Sequence, residues 1–323
     1  MTLNWGLIGA GDIARRRVAP ALRDLASGTL LAVCRGRPSL AESFAKEFAA
    51  PRWYATAEEL IADPDVDAVY LATPVNMHAQ HAIAAAEAGK HVLCEKPMAM
   101  TVRECDAMIA ACRASGVKLG VAYYRHFYPA VARARDLIAS GAIGDVVMAQ
   151  ANAFEYFDPT ADHPRHWIVT AAAGGGPMFD FGCHRIEVLL DLLGPVTDVR
   201  SMLGNVAFVR ETEDTAIAIL RHDRGCYATV SVTHASAESR DTLDVFGTLG
   251  SIHVSHLNRG EMRVVISGES SSETLPPHAN LHLPLIDDFA RAVSLDREPV
   301  VNGDIGRAVA VVEEQIYAGW NAP

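Results

Sequence analysis

The chain has 323 residues, of which 28 are Lys or Arg and 39 are Asp or Glu, for a formal net charge of −11. A length of this order predicts two domains, each with its own core. The acidic balance, with no basic run longer than Arg15-Arg16-Arg17, argues against a nucleic-acid partner. No stretch approaches the ~20 apolar residues of a membrane span, and we recognise neither a secretory nor a twin-arginine signal. Six cysteines without a CxxC pair favour reduced thiols, so we expect a cytoplasmic protein with no membrane partner.

The N-terminal strand leads directly into a glycine-rich turn. Apolar residues 5–8 precede Gly9-Ala10-Gly11-Asp12-Ile13-Ala14, and a helical stretch follows to about residue 27. This is the dinucleotide-binding fingerprint with Ala14 in the place of the third glycine. Gly9 permits the tight turn, and Gly11 lets the backbone approach a pyrophosphate at the helix N-terminus. The turn, with Asp12 and Ile13, is therefore a predicted cofactor site.

The end of the second strand bears on the choice of cofactor. Residues 30–34 form an apolar strand that ends in Arg35-Gly36-Arg37. Folds that bind NAD usually place an Asp or Glu here for the ribose 2′-hydroxyl, whereas an arginine suits the 2′-phosphate of NADP. The alternative is a solvated basic turn. We predict NADP as the cofactor, with NAD as the alternative and with Arg35 and Arg37 as its contacts.

Strands and helices continue to alternate up to residue 122. Helical patterns at 38–50, 57–62, 77–88 and 102–115 separate apolar strands at 66–72, 91–95 and 117–122. This alternation predicts an α/β domain with a parallel, doubly wound sheet. By this reading Gly11, Arg35, Thr73 and Lys96 all follow strand ends, so they are expected at one edge of the sheet.

The run His91-Val92-Leu93-Cys94-Glu95-Lys96-Pro97 places a carboxylate and an ammonium together at a strand end. Pro97 has no N–H to continue the ladder. An exposed Glu–Lys pair in a turn is the alternative, since such pairs are common and contribute little. Cys94 alternates onto the buried side of the strand, which favours a small core residue over a nucleophile.

The pattern changes after residue 122. A helix at 129–140 and a strand at 146–154 come first; from residue 196 alternating stretches are separated by turn sequences at 223–225, 247–250 and 258–260. Such turns indicate hairpins. The polar residues 267–280 are predicted to be a surface loop, and helices at 283–295 and 304–317 end the chain. We therefore expect a Rossmann domain at 1–122 and, at 123–323, an α+β domain with a large, mostly antiparallel open sheet. One face of that sheet needs cover from helices or from a second subunit, which predicts a homodimer or larger homo-oligomer.

A run of three glycines, residues 174–176, precedes a predicted helix. Asp180, His184, Glu187 and Asp191 fall on one stripe of that helix. One interpretation of this stripe is that it is the solvent-exposed face of an amphipathic helix. The glycines favour another, because three together are tolerated mainly where the backbone bends sharply or something approaches it closely.

Three ordered motifs resemble the Gfo/Idh/MocA family of oxidoreductases: the glycine fingerprint, the Glu95-Lys96-Pro97 strand end, and the glycine run followed by Asp180 and His184. The resemblance extends over nearly the whole chain. It implies a Rossmann domain, a second domain with a large open sheet, and a cleft where a nicotinamide faces a sugar-like substrate. The catalytic lysine of the family matches Lys96, and its Asp and His match Asp180 and His184.

The resemblance also implies cofactor contacts next to the lysine. Thr73, Asn76 and His78 lie in a segment similar to the family's strand-end loop beside the nicotinamide ribose. Glu95 and Lys96 adjoin the same cofactor. The alternative for His78 is a surface residue whose hydrogen bonds are satisfied without a cofactor.

Further residues are candidates for the substrate pocket. Tyr123 and Arg125 match a segment that often lines it, and the next residue, His126, stands where arginine is frequent. Trp167 lies in the loop before the glycine run, with His163 and His166. That histidine spacing can bind metal, but no cysteine or carboxylate cluster completes a ligand set, so we expect no metal site.

These groups suit hydride transfer between a nicotinamide and a carbonyl or hydroxyl carbon. The alkoxide that forms in reduction needs a proton, and His184 suits that role near neutral pH. Asp180 orients His184 or shares the substrate hydroxyl, while Lys96 stabilises charge on the reacting oxygen. A lysine of lowered pKa is the alternative proton shuttle.

Three functions remain open at this point. The first is an NADP-dependent oxidoreductase that acts on a sugar or polyol. The second is a glycosidase of the same fold that keeps NAD bound. The third is a non-catalytic regulator that senses the dinucleotide, which would not need Lys96, Asp180 and His184 together.

Overall fold

A computed structural model describes residues 2–163 and 165–320. The chain divides into two compact units, Met1–Tyr124 with His278–Ala310, and Arg125–Pro277 with Val311–Pro323. The expected division assigns residues 278–310 to the second domain, whereas their contacts place them in the first unit. Pro164, in the loop before the glycine run, lies outside the described residues.

The first unit is built on a parallel sheet. Its strands run in the order β3-β2-β1-β4-β5-β6, which is the doubly wound order of dinucleotide-binding folds. The predicted parallel sheet is thus confirmed, with one short edge strand, β3, added to it. The strands are β1 (Leu3–Ile8), β2 (Gly28–Cys34), β3 (Arg52–Tyr54), β4 (Ala68–Leu71), β5 (His91–Cys94) and β6 (Leu119–Val121).

The second unit is built on an eight-stranded sheet in the order β14-β13-β12-β11-β7-β10-β9-β8. All neighbours are antiparallel except β7 and β10. The predicted mostly antiparallel sheet and its three hairpin turns are confirmed. The strands are β7 (Val146–Tyr156), β8 (Val196–Gly204), β9 (Thr215–His222), β10 (Tyr227–Thr233), β11 (Ala235–Gly247), β12 (Gly250–His256), β13 (Glu261–Ile266) and β14 (Glu269–Thr274).

One prediction in this region is wrong. Residues 267–280 were expected to form a surface loop, but Glu269–Thr274 pairs with β13 as an edge strand. The reason is that an edge strand needs no apolar face. Its charged and hydroxyl side chains also protect the open edge from further pairing.

The helices confirm most predicted positions to within one or two residues. The helix after the fingerprint opens with a π-helical turn, Ala14–Val18, and the helix after the glycine run opens with another, Met178–Gly182. The α-helices of the described residues are α1 (Ala19–Asp24), α2 (Pro38–Glu47), α3 (Ala57–Ile61), α4 (His78–Glu87), α5 (Val102–Ala114), α6 (Pro129–Ala139), α7 (Cys183–Leu193), α8 (Leu283–Ser294) and α9 (Gly303–Tyr317).

Helix α8 belongs to the first unit because of its apolar face. Phe289 on α8 packs against Trp5 of β1, with ring centroids 5.6 Å apart, and both side chains are buried. Burial of these two large aromatic rings stabilises the packing of α8 against the sheet of the first unit.

The strand register brings the predicted cofactor residues to one edge. Ile8 pairs with Cys34 on one side and with Leu71 on the other, and Leu71 pairs with Cys94. Because the strands are parallel, the residues that follow them lie together at the carboxyl edge of the sheet. The common edge predicted for Gly11, Arg35, Thr73 and Lys96 is confirmed by this register.

Two expectations from composition can be compared with the structure. All six cysteines are free thiols and all are buried. Among the residues described, no helix has both the length and the apolar character needed to cross a bilayer.

Candidate active site

The first unit holds the glycine turn in a shape that fits a dinucleotide. Gly9 has φ +98°, and a Cβ there would lie 2.5 Å from the backbone carbonyl of Ala72, so only glycine fits. A Cβ on Gly11 would meet nothing closer than the Gly9 oxygen at 3.9 Å, which leaves that face of the turn open. The helix starts immediately after the turn, with Asp12 paired to Arg16 on its exposed side and Ile13 partly exposed. The turn therefore has the open backbone and helix N-terminus that bind a pyrophosphate.

Arg35 lies over the same turn. It follows the last residue of β2, and its Nη1 donates a 3.0 Å hydrogen bond to the Ala10 carbonyl oxygen. Arg37 is exposed two residues further on, just before α2. A guanidinium held beside the glycine turn is placed for the adenosine ribose side of a dinucleotide.

The loop after β4 is fixed by a buried histidine. His78 is fully buried, and its ring nitrogens lie 2.9 Å from the Thr73 oxygen and 3.0 Å from the Pro97 oxygen. His78 therefore ties the loop after β4 to the loop after β5, and both ring nitrogens are engaged by the backbone. Asn76, by contrast, is exposed. His78 therefore shapes the loop, and of the two only Asn76 has an exposed side chain.

Glu95 is a buried carboxylate at the end of β5. Its Oε1 accepts hydrogen bonds from the Tyr70 hydroxyl at 2.8 Å and from His282 Nε2 at 3.2 Å, and its Oε2 accepts from the Lys96 amide at 3.3 Å. Burial raises the pKa of Glu95, but the bond to His282 and its charge, then Tyr70 and Lys96, outweigh it and hold that pKa below its usual value. His282 in turn stacks on Tyr124, with ring centroids 4.8 Å apart.

Lys96 directly follows this buried carboxylate and donates its backbone amide to it. It is half-buried, and its charge interacts with Glu95. The exposed surface pair considered from the sequence is thus not what the structure shows, because Glu95 is only 6% exposed. Cys94 is fully buried, and burial raises the pKa of its thiol well above the ordinary value, which fits the predicted core role.

In the second unit the glycine run brings a backbone against a buried acid. Gly176 has φ +98°, and a Cβ there would overlap the carboxylate of Glu213. Glu213 is fully buried; its Oε1 accepts from the Met178 amide at 3.1 Å and from the Tyr317 hydroxyl at 2.8 Å. Burial raises the pKa of Glu213 to about 7, and these bonds offset it only in part. Glu213 therefore holds the first turn of the helix that carries Asp180.

The acidic stripe predicted on this helix is not a wet surface. His184 and Glu187 are 2% and 1% exposed, and Glu187 Oε1 lies 2.7 Å from His126 Nδ1. Asp191 is bonded by Arg135 from α6, at 2.5 Å from Nη2. Glu187 and Asp191 thus fasten α7 to α6 and to the short turn before it.

His126 is paired with Glu187, which holds its side chain in a structural contact. Burial lowers its pKa, but the hydrogen bond and charge of Glu187 and the charge of Asp191 outweigh this and raise that pKa.

Asp180 lies in the π-helical turn and is half-buried. Arg165 Nη2 is 3.5 Å from its Oδ2. Glu155 at the end of β7 and His234 between β10 and β11 face the same carboxylate: one ligand-type atom from each of the three residues lies within 4.8 Å of the others. Within the described ranges this is the group that has metal-ligand spacing, and His163 and His166 do not belong to it.

The remaining predicted substrate residues have different surroundings. Tyr123 is fully buried after β6, and Trp167 is 38% exposed in a short helical turn. Arg125 is buried and donates to Asp241 Oδ2 at 3.2 Å, while Arg185 bonds the other oxygen of Asp241. Arg125 is therefore part of a buried ion cluster, and its contact with a substrate stays a prediction.

Sequence reasoning missed the residues that hold the site from a distance: Tyr70, His282, Glu213, Glu155, His234 and Arg210. Each acts through a partner far along the chain; His282, for example, is 187 residues from Glu95. His234 and Glu155 carried no motif, and the pairing of β7 with both β10 and β11 brings their strand ends together.

A glycine turn shaped for a pyrophosphate at the edge of a doubly wound sheet defines a dinucleotide-binding protein of the Rossmann class. Residues 3–123 match the oxidoreductase family with an NAD-binding Rossmann fold, and residues 131–253 match the GFO/IDH/MocA C-terminal domain. The chain belongs to the GFO/IDH/MocA family and is an NAD(P)-dependent oxidoreductase.

Named relatives cover most of the chain. It is 30% identical to 1,5-anhydro-D-fructose reductase of Ensifer adhaerens, over 94% of this chain and 91% of the relative. It is 29% identical to levoglucosan dehydrogenase of Pseudarthrobacter phenanthrenivorans, over 83% and 77%. Among solved structures, aldose–aldose oxidoreductase of Caulobacter crescentus complexed with glycerol superposes with a TM-score of 0.89 at 28% identity, over 98% and 97% of the two chains.

Proposed function

We propose that this protein is an NADP(H)-dependent oxidoreductase that transfers a hydride between the nicotinamide and a carbonyl or hydroxyl carbon of a neutral sugar or polyol. The observation that carries the proposal is the row of strand ends in the first unit, where Gly9, Arg35 and Glu95 follow residues paired in register. The names of two relatives support the substrate class, since one is a 1,5-anhydro-D-fructose reductase and the other a levoglucosan dehydrogenase.

The residues divide the chemistry between them. When bound, the nicotinamide supplies or accepts the hydride. In the direction of reduction, His184 gives a proton to the oxygen of the substrate, and Asp180 orients His184. Lys96, set by Glu95, donates a hydrogen bond to the same oxygen and stabilises its negative charge. In oxidation the same groups remove the proton from the hydroxyl.

The preference for NADP is supported by the end of β2. Arg35 is anchored to the glycine turn by its 3.0 Å bond to Ala10, and residues 35–37 contain no acid that would repel a 2′-phosphate. A solved levoglucosan dehydrogenase was crystallised with NADH, so the two cofactors must be compared directly in this chain.

The test is a fluorescence titration of the purified protein with NADPH and with NADH. We expect tighter binding of NADPH in the wild type. Arg35→Ala should weaken NADPH by about tenfold or more, as loss of a charge-assisted phosphate contact does, and leave NADH nearly unchanged. Arg23→Ala, which removes an exposed arginine at the far end of α1, is the matched control. Equal affinities, unchanged by Arg35→Ala, would contradict the NADP proposal, and a nicotinamide that co-purifies without exchanging would favour the glycosidase.

We also propose that the protein self-associates through the open face of its large sheet. Ile217 and Ile219 on β9 are 49% and 48% exposed, Met202 beside Ile217 on β8 is 82% exposed, and Tyr227 on β10 continues the patch. Apolar patches of this kind mark interfaces. Sedimentation analysis of Ile219→Lys should show a smaller species than the wild type, and a wild type that sediments as a monomer would refute the proposal.

A further inference from the structure

One of the proposed catalytic groups, Asp180, also belongs to a polar cluster with Glu155 and His234. The three ligand-type atoms lie within 4.8 Å of one another, and His234 Nε2 is 3.9 Å from Glu155 Oε1. That separation is too long for a direct hydrogen bond between His234 and Glu155. His234 Nε2 and Glu155 therefore do not satisfy each other directly.

The protonation state of His234 is decided by a neighbour. Arg210 Nη2 is 3.0 Å from His234 Nδ1. A guanidinium has donors only, so Nδ1 must accept, and the neutral ring then carries its hydrogen on Nε2. Burial lowers the pKa of His234 to about 4, although the charge of Asp180 opposes this, so the ring is neutral at physiological pH.

The orientation of the His234 ring is fixed as well. The rings of Phe157 and Phe181 meet it edge-on, at centroid distances of 5.3 and 5.0 Å. The side chain is fully buried, and Nε2 has no hydrogen-bond partner within the described part of the chain. A buried donor without an acceptor is unfavourable. This N–H is therefore suited to donate a hydrogen bond to an oxygen atom of a ligand.

The geometry of the cluster selects the occupant. One oxygen at the centre of atoms spaced at most 4.8 Å apart lies no more than about 2.8 Å from each, which is within hydrogen-bond range. A hydroxyl there accepts from His234 and donates to one carboxylate. The other carboxylate is an acceptor within reach of a second hydroxyl on the adjacent carbon.

Other occupants fit less well. An ammonium has no lone pair with which to accept from the His234 N–H. A substrate carboxylate is repelled by Glu155 and Asp180. A metal ion requires a bare ring nitrogen at Nε2, and the bond from Arg210 to Nδ1 keeps the hydrogen on Nε2.

We propose that Glu155, Asp180 and His234 form a subsite that recognises a vicinal diol of a neutral sugar or polyol, with Arg210 as the positioning residue that fixes the donor on His234 Nε2. This deepens the proposed function and rests on it for the identity of the ligand as a substrate. The subsite favours neutral polyols over amino sugars and sugar acids.

The first experiment tests the subsite without any need for activity. ¹⁵N NMR of the histidine-labelled protein should show His234 as a neutral Nε2–H ring between pH 6 and 8. Arg210→Met should remove that fixed tautomer, and His222→Gln, at another buried histidine, should leave it unchanged. A charged His234, or one with hydrogen on Nδ1, would overturn the proposal.

The second experiment adds probes to the same protein loaded with NADPH: levoglucosan, 1,5-anhydro-D-glucitol, glycerol and myo-inositol, then Zn²⁺ or Mg²⁺ alone. At least one neutral diol should shift the His234 Nε2–H resonance, and the metals should not. For a substrate so found, His234→Leu should lower kcat/KM about tenfold, whereas His234→Gln, which keeps a donor, should lose less. The loss should disappear for the analogue that lacks one hydroxyl of the diol.

The outcomes separate the two proposals. If every diol leaves His234 unmoved while hydride transfer to some substrate is found, the subsite is refuted and the proposed function stands. If Zn²⁺ or Mg²⁺ alone shifts the His234 Nε2–H resonance, the cluster binds a cation and the diol proposal is refuted. If diols bind at His234 but no nicotinamide-dependent turnover exists, the recognition of diols stands and the oxidoreductase proposal fails for this ligand.

Discussion

Glu213 should make the stability of the second unit depend on pH. It is fully buried, and burial raises its pKa from 4.5 to about 7. Between these two pH values the folded protein keeps a proton that the unfolded chain loses. Stability therefore falls as pH rises from about 4.5 to about 7, and above that the penalty is constant.

The size of the effect follows from that interval. At about 1.4 kcal/mol per pH unit, the raised pKa corresponds to about 3 kcal/mol lost between the ends of the window. Glu213→Gln keeps an oxygen for the Met178 amide and the Tyr317 hydroxyl but has no proton to lose. We therefore expect the variant to gain stability relative to the wild type as pH rises, by up to about 3 kcal/mol between pH 5 and pH 8.

Urea unfolding of both proteins at several pH values measures this difference. Hydrogen exchange at the Met178 amide reports the same change locally, since that amide donates to Glu213. Glu238→Gln, at an exposed glutamate, controls for the loss of one negative charge. A Glu213→Gln effect that is the same at pH 5 and pH 8 would refute the reasoning.

Three further predictions follow from the first unit. Gly9→Ala should abolish dinucleotide binding and lower the melting temperature, because its Cβ would meet the Ala72 carbonyl at 2.5 Å; unchanged affinity by titration would contradict this. Cys94 should resist iodoacetamide in the native protein and react only after unfolding, because burial raises the pKa of its thiol; mass spectrometry of native protein decides it. His282→Leu should lower kcat about tenfold with little change in cofactor affinity, because Glu95 loses a donor and no longer fixes Lys96; a kcat like that of the wild type would show that Tyr70 alone suffices.

Most of the fold could be predicted because its signals are local. The predicted helix at 283–295 is found at Leu283–Ser294, and the hairpin turns fall where glycine and polar residues interrupt apolar runs. The elements that were missed are short or polar strands, Arg52–Tyr54 and Glu269–Thr274. Such strands exist because a neighbour pairs with them, and a single sequence does not show pairing.

The candidate site follows the same rule. Its glycine turns and the Glu95-Lys96 strand end were visible as motifs, because a strained backbone or a strand end leaves a mark in a few adjacent residues. The stripe on the helix after the glycine run was visible too, but the side chains that face it were not. His126 pairs with Glu187 and Arg135 pairs with Asp191, and these contacts give the two acids a structural role. Distant partners such as His282 leave no local trace.

The central claim, hydride transfer assisted by Lys96, is tested most directly by single-turnover kinetics. The wild type and Lys96→Ala are each loaded with NADPH and mixed with 1,5-anhydro-D-fructose and related carbonyl sugars, while oxidation of the nicotinamide is followed. The account predicts NADPH binding within a few-fold of the wild type in Lys96→Ala and a loss of at least a hundredfold in the rate of hydride transfer. A Lys96→Ala protein that oxidises NADPH at the rate of the wild type would contradict it.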